Sequence, residues 1–213
     1  MKIKIIHALL LVLILPLTGC ISIVGSLISP PLKVELAHTP LIDMKKIADE
    51  LNPQTISVGE VIDARKKKTI GSYQGPMSQG IVTKVELAND PSVVLREAVI
   101  DGIKKSGFLT PDGTQSAPDA QMNISGRIDS IKVFTQSRGF LKSDDTYAQV
   151  LIDFEIMGKS NNKVNFDILG EFIVEKTGNQ IYGAQSGEYV DKAINDAVRK
   201  LLANEKFLGF LIK

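Results

Sequence analysis

The chain has 213 residues, of which 44% are hydrophobic, and its formal net charge is +1. A net charge this close to zero excludes a protein that is attracted to nucleic acid by its overall electrostatic field. Cys20 is the only cysteine, so an internal disulfide and a cysteine-based zinc site are both excluded.

The first residues are ordered like a secretory signal. Lys2 and Lys4 give a positive start, Ile5–Leu15 is almost entirely apolar, and Pro16 ends the apolar run before small residues. Loss of the two lysines with this segment changes the net charge from +1 to −1. The pattern predicts export from the cytoplasm.

The segment Leu17–Cys20, with the sequence LTGC, resembles the lipobox of bacterial lipoproteins. In those proteins a signal peptidase cuts before the cysteine, which then carries the lipid. The resemblance implies that 1–19 is a signal peptide and that Cys20 anchors the mature chain through two or three acyl chains such as palmitate. One chain alone anchors only marginally. Ile21 stands where related lipoproteins of the inner membrane often have aspartate, which favours the outer membrane with the domain facing the periplasm.

An uncleaved transmembrane helix is the alternative for this region. No charged residue occurs from Ile5 through Leu32, and a span needs only about 20 apolar residues. Pro16, Gly19 and Gly25 argue against this alternative, because they interrupt the apolar run.

Residues 20–54 are predicted to be a lipid-anchored tether and linker, followed by a periplasmic domain over 55–213. The stretch Ile21–Pro31 is small and rich in turn residues, and Lys33–Leu36 alternates like a short strand. A weak helical pattern covers Leu41–Leu51.

The first strong strand pattern is Ile56–Ile62, and a second covers Ile81–Leu87. Between them lie the basic run Arg65–Lys68 and the glycine-containing loop Gly71–Pro76. We interpret the loop as a turn, with a binding loop as the alternative.

A helix is predicted to begin after Asp90, which suits the N-cap, with Pro91 at the first helical position. Leu95 and Ile103 lie on its apolar face. Gly107 is predicted to end it in a left-handed conformation.

Three long strands are predicted next, over Gln121–Val133, Tyr147–Ile156 and Val164–Val174. The apolar positions of the first change face near Ser130, which indicates a bulge. The turn Gly158–Lys163 contains asparagines that tolerate positive φ. One apolar and one polar face per strand indicates an antiparallel sheet that is covered on one side.

The strongest helical periodicity covers Tyr189–Ala203, with an apolar stripe that includes Leu201 and an opposite face that includes Asp191. The apolar stretch Phe207–Ile212 either fills the core or forms an exposed patch. The predicted fold is therefore α+β, an antiparallel sheet of about five strands with two helices packed on one face.

Catalytic and metal-binding patterns are lacking. His38 is the only histidine after the signal, and a lone imidazole is more often structural or solvated than a ligand. Four carboxylates fall on the polar face of the predicted hairpin, where exposed charge is the ordinary state; they are Asp153, Glu155, Asp167 and Glu171. No nucleotide-binding or hydrolase motif occurs. We predict no catalytic residues, no metal and no cofactor.

The densest charge in the chain consists of Arg65, Lys66, Lys67 and Lys68. We take it as a candidate binding edge for an envelope protein or an anionic lipid, and not for nucleic acid. A solvated strand end is the alternative, because the rest of the chain carries no wider basic surface.

Short motifs recur in a set order over roughly residues 55–211. A strand ends in Asp63-Ala64-Arg65, a helix ends in the run 104–108 (KKSGF), and Asp196-Ala197-Val198 lies in a final helix before Phe207-Leu208. With the lipobox, this order resembles the YajG-type bacterial envelope lipoproteins. The resemblance implies a non-enzymatic envelope accessory protein and gives no catalytic residues. Two alternatives stay open, an auxiliary lipoprotein of a lipid or secretion transporter and a periplasmic hydrolase.

Overall fold

The computed structural model describes residues 30–41, 44, 46–47, 55–73, 82–111, 120–136, 145–175 and 183–211. The signal and the lipobox lie outside the described residues, and so does most of the helix predicted over Leu41–Leu51. Most of the span considered as an uncleaved transmembrane helix lies outside them too. Of the helices in the described part of the chain, none is long and apolar enough to cross a membrane.

Seven strands and three α-helices form the described part of the chain. The strands are β1 (Leu32–Val34), β2 (Ile56–Asp63), β3 (Thr69–Tyr73), β4 (Thr83–Leu87), β5 (Met122–Gln136), β6 (Asp145–Gly158) and β7 (Lys163–Glu175). The helices are α1 (Pro91–Lys105), α2 (Ser186–Leu202) and α3 (Glu205–Leu211), and one 3-10 turn at Gly183–Gln185 leads into α2.

The strands form two sheets rather than one. The larger has the order β2-β5-β6-β7 and the smaller has the order β1-β4-β3. The α+β class is confirmed, but the wholly antiparallel sheet is wrong, because β2 is parallel to β5 and β1 is parallel to β4. Between β2 and β5 the chain forms β3, β4 and α1, and a crossover of this length brings a strand back in the same direction.

The long strands β5, β6 and β7 pair antiparallel as predicted. The register between β5 and β6 shifts between Ile128 and Ser130, which confirms the bulge. Asn161 has φ 58° in the β6–β7 turn, as its sequence indicated. Ile124, Ile152 and other inward side chains of this sheet are buried under α1 and α2.

Helix α1 begins and ends as its sequence predicts. Asp90 is the N-cap, and its carboxylate accepts a hydrogen bond of 2.9 Å from the amide of Ser92. Gly107 follows the helix with φ 88°, and the amide of Phe108 bonds back to the carbonyl of Ile103 at 3.2 Å.

The apolar stretch after α2 forms α3, whose Phe207 and Leu211 are buried. These two side chains fill the core, so the core-filling interpretation of the C-terminal stretch is confirmed for them. Phe210 lies over Gly158 at the β6–β7 turn.

Strand β3 includes Gly71, Ser72 and Tyr73, so the prediction of a loop over Gly71–Pro76 is wrong for these three residues, and 74–76 lies outside the described residues. A Cβ at Gly71 would lie 2.5 Å from the carbonyl oxygen of Val133, so only glycine allows β3 to approach β5 this closely. The smaller sheet therefore packs against the free half of β5, beyond the end of β2.

Part of the predicted tether belongs to the folded body. Strand β1 pairs with β4, and Val34, Leu36 and Leu41 are buried in the core. The amide of Ala88 also donates to the carbonyl of Val34 at 2.8 Å. The division at residues 54 and 55 therefore separates segments that pack together in the fold.

Candidate functional site

The basic run forms the turn between β2 and β3. The amide of Ala64 donates to the carbonyl of Ile128 at 3.0 Å, which keeps the end of β2 on the larger sheet. The carboxylate of Asp63 then accepts a hydrogen bond of 3.2 Å from the amide of Arg65, a local arrangement that aspartate commonly supports in turns. The turn is thus set by Asp63 before the lysines begin.

Arg65 is committed to this turn. Its Nε and Nη2 both bond to Asp63 at 2.7 Å, and its side chain is only 7% exposed. Burial raises the pKa of Asp63, but the hydrogen bonds and charge of Arg65 outweigh it and hold that pKa below its usual value. The positive charge of Arg65 is largely matched by this carboxylate.

Lys66, Lys67 and Lys68 are exposed, so they carry the accessible charge of the predicted binding edge. Lys66 and Lys67 border a cleft of ≈ 390 Å³ between the turn and the bulged part of β5. Across that cleft are Asp129 and Lys132. Lys132 is exposed and was missed in the sequence, because only the fold brings β5 beside the turn.

We call Lys66, Lys67, Lys68 and Lys132 the basic rim. Asp129 pairs with Arg127, whose Nε lies 2.9 Å from it, so part of its negative charge is offset by this neighbour, which Asp153 shares. Lys68 also adds to the field that lowers the pKa of Glu86, after the larger effect of the Lys33 hydrogen bond. The arrangement suits an anionic group that meets several ammonium groups at once.

A second polar cluster holds the N-terminal segment on the helices. The amide of Thr39 donates to Oδ2 of Asp191 at 2.9 Å, and Nδ2 of Asn195 donates to the carbonyl of Thr39 at 2.8 Å. The amide of Leu41 donates to Asp101 at 2.7 Å. Lys105 lies 3.0 Å from Asp101 and also bonds the carbonyl of Leu41.

Asp191 was predicted to face water, and this is wrong, because it is fully buried. Desolvation raises its pKa, and the hydrogen bond from Thr39 offsets this only in part. The helical period placed Asp191 outside the apolar stripe, but residues 38–41 cover that position. A buried carboxylate with a backbone donor serves to hold the segment in place.

His38 belongs to this cluster, with its Nε2 3.9 Å from Oδ2 of Asp101. Asp101 already accepts hydrogen bonds from the amide of Leu41 and from Lys105, so this carboxylate is occupied in holding residue 41 on α1. In the part of the chain that the structure describes, no group of three histidine, cysteine or acidic residues is placed to hold a metal ion.

The four carboxylates of the β6–β7 hairpin lie on the open face of the larger sheet. Asp153 and Asp167 are register partners, as the sequence allowed. Asp153 lies 3.3 Å from Arg127, Glu155 pairs with Lys163, and Glu171 accepts from Gln149 at 2.5 Å. Asp153, Glu155 and Glu171 are thus used in contacts between strands, and Asp153 and Glu155 also line an open cleft of ≈ 260 Å³ together with Glu60 and Arg127.

No family model matches the chain, and no curated protein matches it. Solved structures do resemble it. Protein XCC0632 from Xanthomonas campestris, of the family model DUF330, has a TM-score of 0.45 at 10% identity, with 85% of this chain and 95% of that chain covered. The minor lipoprotein from Acinetobacter baumannii has a TM-score of 0.37 at 9% identity, with 69% and 86% covered.

Lipoprotein GNA1162 from Neisseria meningitidis has a TM-score of 0.26 at 9% identity, with 59% of this chain and 88% of that chain covered. Bacterial lipoproteins are thus among the solved structures that the chain resembles. The likeness is one of overall fold at low sequence identity, and it decides neither family nor function.

Proposed function

We propose that the protein is a lipid-anchored, YajG-type lipoprotein of the bacterial outer membrane that acts as a non-catalytic binding module for an acidic envelope protein. The observation that carries the proposal is the basic rim, in which three exposed lysines from two separate chain segments, Lys66, Lys67 and Lys132, line one cleft and the exposed Lys68 follows them in the turn. If that acidic partner is a subunit of a lipid or secretion transporter, this protein acts as an auxiliary subunit of the transporter.

The rim favours a protein over a small ligand. Its lysines are exposed at the side of an open cleft, and an open site of this kind binds through many weak contacts rather than by enclosure. Ile131 lies in the same cleft, so an acidic segment with an apolar side chain would match it in charge and in polarity. Exposed charges act mainly on association and are screened by salt.

The non-catalytic part of the proposal rests on how the polar residues are used. Asp101 and Asp191 bind backbone amides of residues 39–41, and the hairpin carboxylates contact neighbouring strands. Hydrolysis of ester, phosphate or peptide substrates by the purified protein, abolished by His38→Ala, would contradict this part.

The test is chemical cross-linking in envelopes that contain the lipidated protein, followed by identification of the captured proteins. The variant reverses Lys66, Lys67 and Lys68 to glutamate. The matched control reverses the same number of exposed lysines away from the cleft, namely Lys46, Lys159 and Lys206. We expect the wild type and the control to capture the same acidic protein at low salt and the variant to lose it.

Raised salt should reduce capture by the wild type towards the level of the variant, since exposed charges are screened over about 10 Å at 0.1 M. Equal capture by all three proteins would remove the basic rim from the proposal. Loss of bound anionic lipid, with protein capture unchanged, would assign the rim to lipid instead.

A further inference from the structure

Apolar side chains are exposed at one end of the molecule, where several strands end. Val82 is 56% exposed, Phe134 is 38% exposed and Ile173 is 44% exposed. Phe134 and Tyr147 stack with ring centroids 5.2 Å apart, and Tyr147 is the register partner of Ile173. Phe134, Tyr147 and Ile173 thus form one row across β5, β6 and β7.

Val82 extends this row beyond the larger sheet. It lies just before β4 and lines a cleft of ≈ 800 Å³ together with Val133 and Phe134. We call Val82, Phe134, Tyr147 and Ile173 the strand-end patch. An apolar patch that joins two sheets differs from single exposed apolar residues, which are ordinary on protein surfaces.

Strand β1 begins at the same end. It is parallel to β4, with Leu32 opposite Val85, so the start of β1 lies on the side of Val82. Eleven residues, Ile21–Pro31, lie between Cys20 and Leu32. Even fully extended they span at most roughly 40 Å, so a lipid on Cys20 keeps the start of β1 within that distance of the membrane.

We propose that the strand-end patch rests on the surface of the lipid bilayer that holds Cys20, an inference that depends on the lipidation in the proposed function. Apolar side chains leave water when they enter the interface between head groups and acyl chains. The anchor makes this contact intramolecular in effect, so a weak affinity suffices.

The same placement separates the lysines of the basic turn from the patch. Thr69, next to the basic turn, is opposite Glu86, which is four residues along β4 from Val82. Four residues of a strand span roughly 13 Å, which exceeds the screening length of about 8 Å in physiological salt. Lys66, Lys67 and Lys68 therefore remain available to a partner that approaches from the periplasm, whereas Lys132 lies two residues from Phe134 on β5, at the edge of the patch.

The test uses lipidated full-length protein in vesicles of phosphatidylethanolamine and phosphatidylglycerol, some carrying a quencher on the acyl chain. An environment-sensitive fluorophore is attached to Val82→Cys, to Ile173→Cys or to the control Leu109→Cys. Cys20 is the only natural cysteine, and lipid blocks its thiol. Leu109 is 59% exposed and lies beside Ile56, at the opposite end of the larger sheet.

We expect at least a twofold loss of fluorescence at Val82 and Ile173 with quencher lipid, and little change at Leu109. The loss of fluorescence should persist at high salt, because the contact between apolar side chains and the bilayer is not weakened by salt. Equal fluorescence at all three positions in protein that floats with the vesicles would overturn the inference. Energy transfer between labelled copies in place of quenching would overturn it as well. Protein that does not float would instead contradict the lipidation on which the inference depends.

Discussion

The backbone amide of Thr39 donates a hydrogen bond of 2.9 Å to Oδ2 of Asp191, which lies 152 positions later in the chain. Asn195 lies one turn further along α2, and its side-chain amide donates a hydrogen bond to the carbonyl of Thr39. One residue of the N-terminal segment is thus bound at both its backbone polar groups. The segment that leads from the proposed anchor is in this way fixed to the strongest helix of the domain.

Removal of this carboxylate should loosen the N-terminal segment. Asp191→Ala removes the acceptor of the Thr39 amide, and the loss of such a hydrogen bond typically costs about 1 kcal/mol of the free energy of unfolding. Glu188→Ala is the matched control, since Glu188 is an exposed member of an i,i+4 pair and its loss should change stability by about 0.5 kcal/mol or less. Urea unfolding measures both, and equal midpoints would show that Asp191 does not hold the segment.

The raised pKa of Asp191 determines the direction in which the free energy of unfolding changes with pH. Burial raises the pKa of Asp191, so the folded state holds this proton more tightly than the unfolded state, where the pKa is about 3.9. The stabilising contribution is complete below that value and is lost as pH rises through the raised folded pKa. His38, Lys192 and Thr39 favour the charged form and limit the shift.

We therefore expect the free energy of unfolding of the wild type, minus that of Asp191→Asn, to fall as the pH rises above the unfolded pKa of about 3.9. Urea titrations at a series of pH values measure this difference. A difference that rises across the same range would mean that the pKa of Asp191 is lowered by folding.

The local features of the fold could be predicted because short-range chemistry decides them. Asp90 caps α1, Gly107 ends it and Asn161 takes positive φ, and each depends on a few neighbouring residues. The direction of β2 could not be predicted, because an alternating pattern is the same in parallel and antiparallel strands. The burial of Asp191 depends on a segment 152 residues away, which helical periodicity does not include.

In the candidate site, too, features set by neighbouring residues could be predicted, and features set by distant residues could not. The exposed lysines 66–68 are visible as a charge run, but the sequence does not show that Arg65 is matched by Asp63. Nor does it show that Lys132 joins the rim, since that depends on the packing of β3 against β5 at Gly71.

The packing of α2 on β7 requires glycine at position 170. A Cβ there would lie 2.0 Å from the carbonyl oxygen of Ala193 and 2.8 Å from the Cβ of Ala197. Gly170→Ala must push the helix from the sheet, and we expect a loss of about 3 kcal/mol in the free energy of unfolding.

Gly209→Ala provides the control in α3, where a Cβ meets nothing within 4 Å. Alanine is the better helix former, so this change should stabilise the protein by up to about 1 kcal/mol. Urea midpoints for the two variants should move in opposite directions. Similar midpoints would mean that α2 does not approach β7 as closely as the structure has it.

The central claim, that Cys20 holds this domain to a membrane, is tested most directly by metabolic labelling with palmitate in bacteria that express the full chain. We predict that the wild type incorporates the label and loses residues 1–19, and that Cys20→Ala does neither and keeps its signal. The mass of the N-terminal peptide identifies the lipidated residue. Labelled Cys20→Ala protein, or a wild type that carries no lipid at Cys20, would contradict the account.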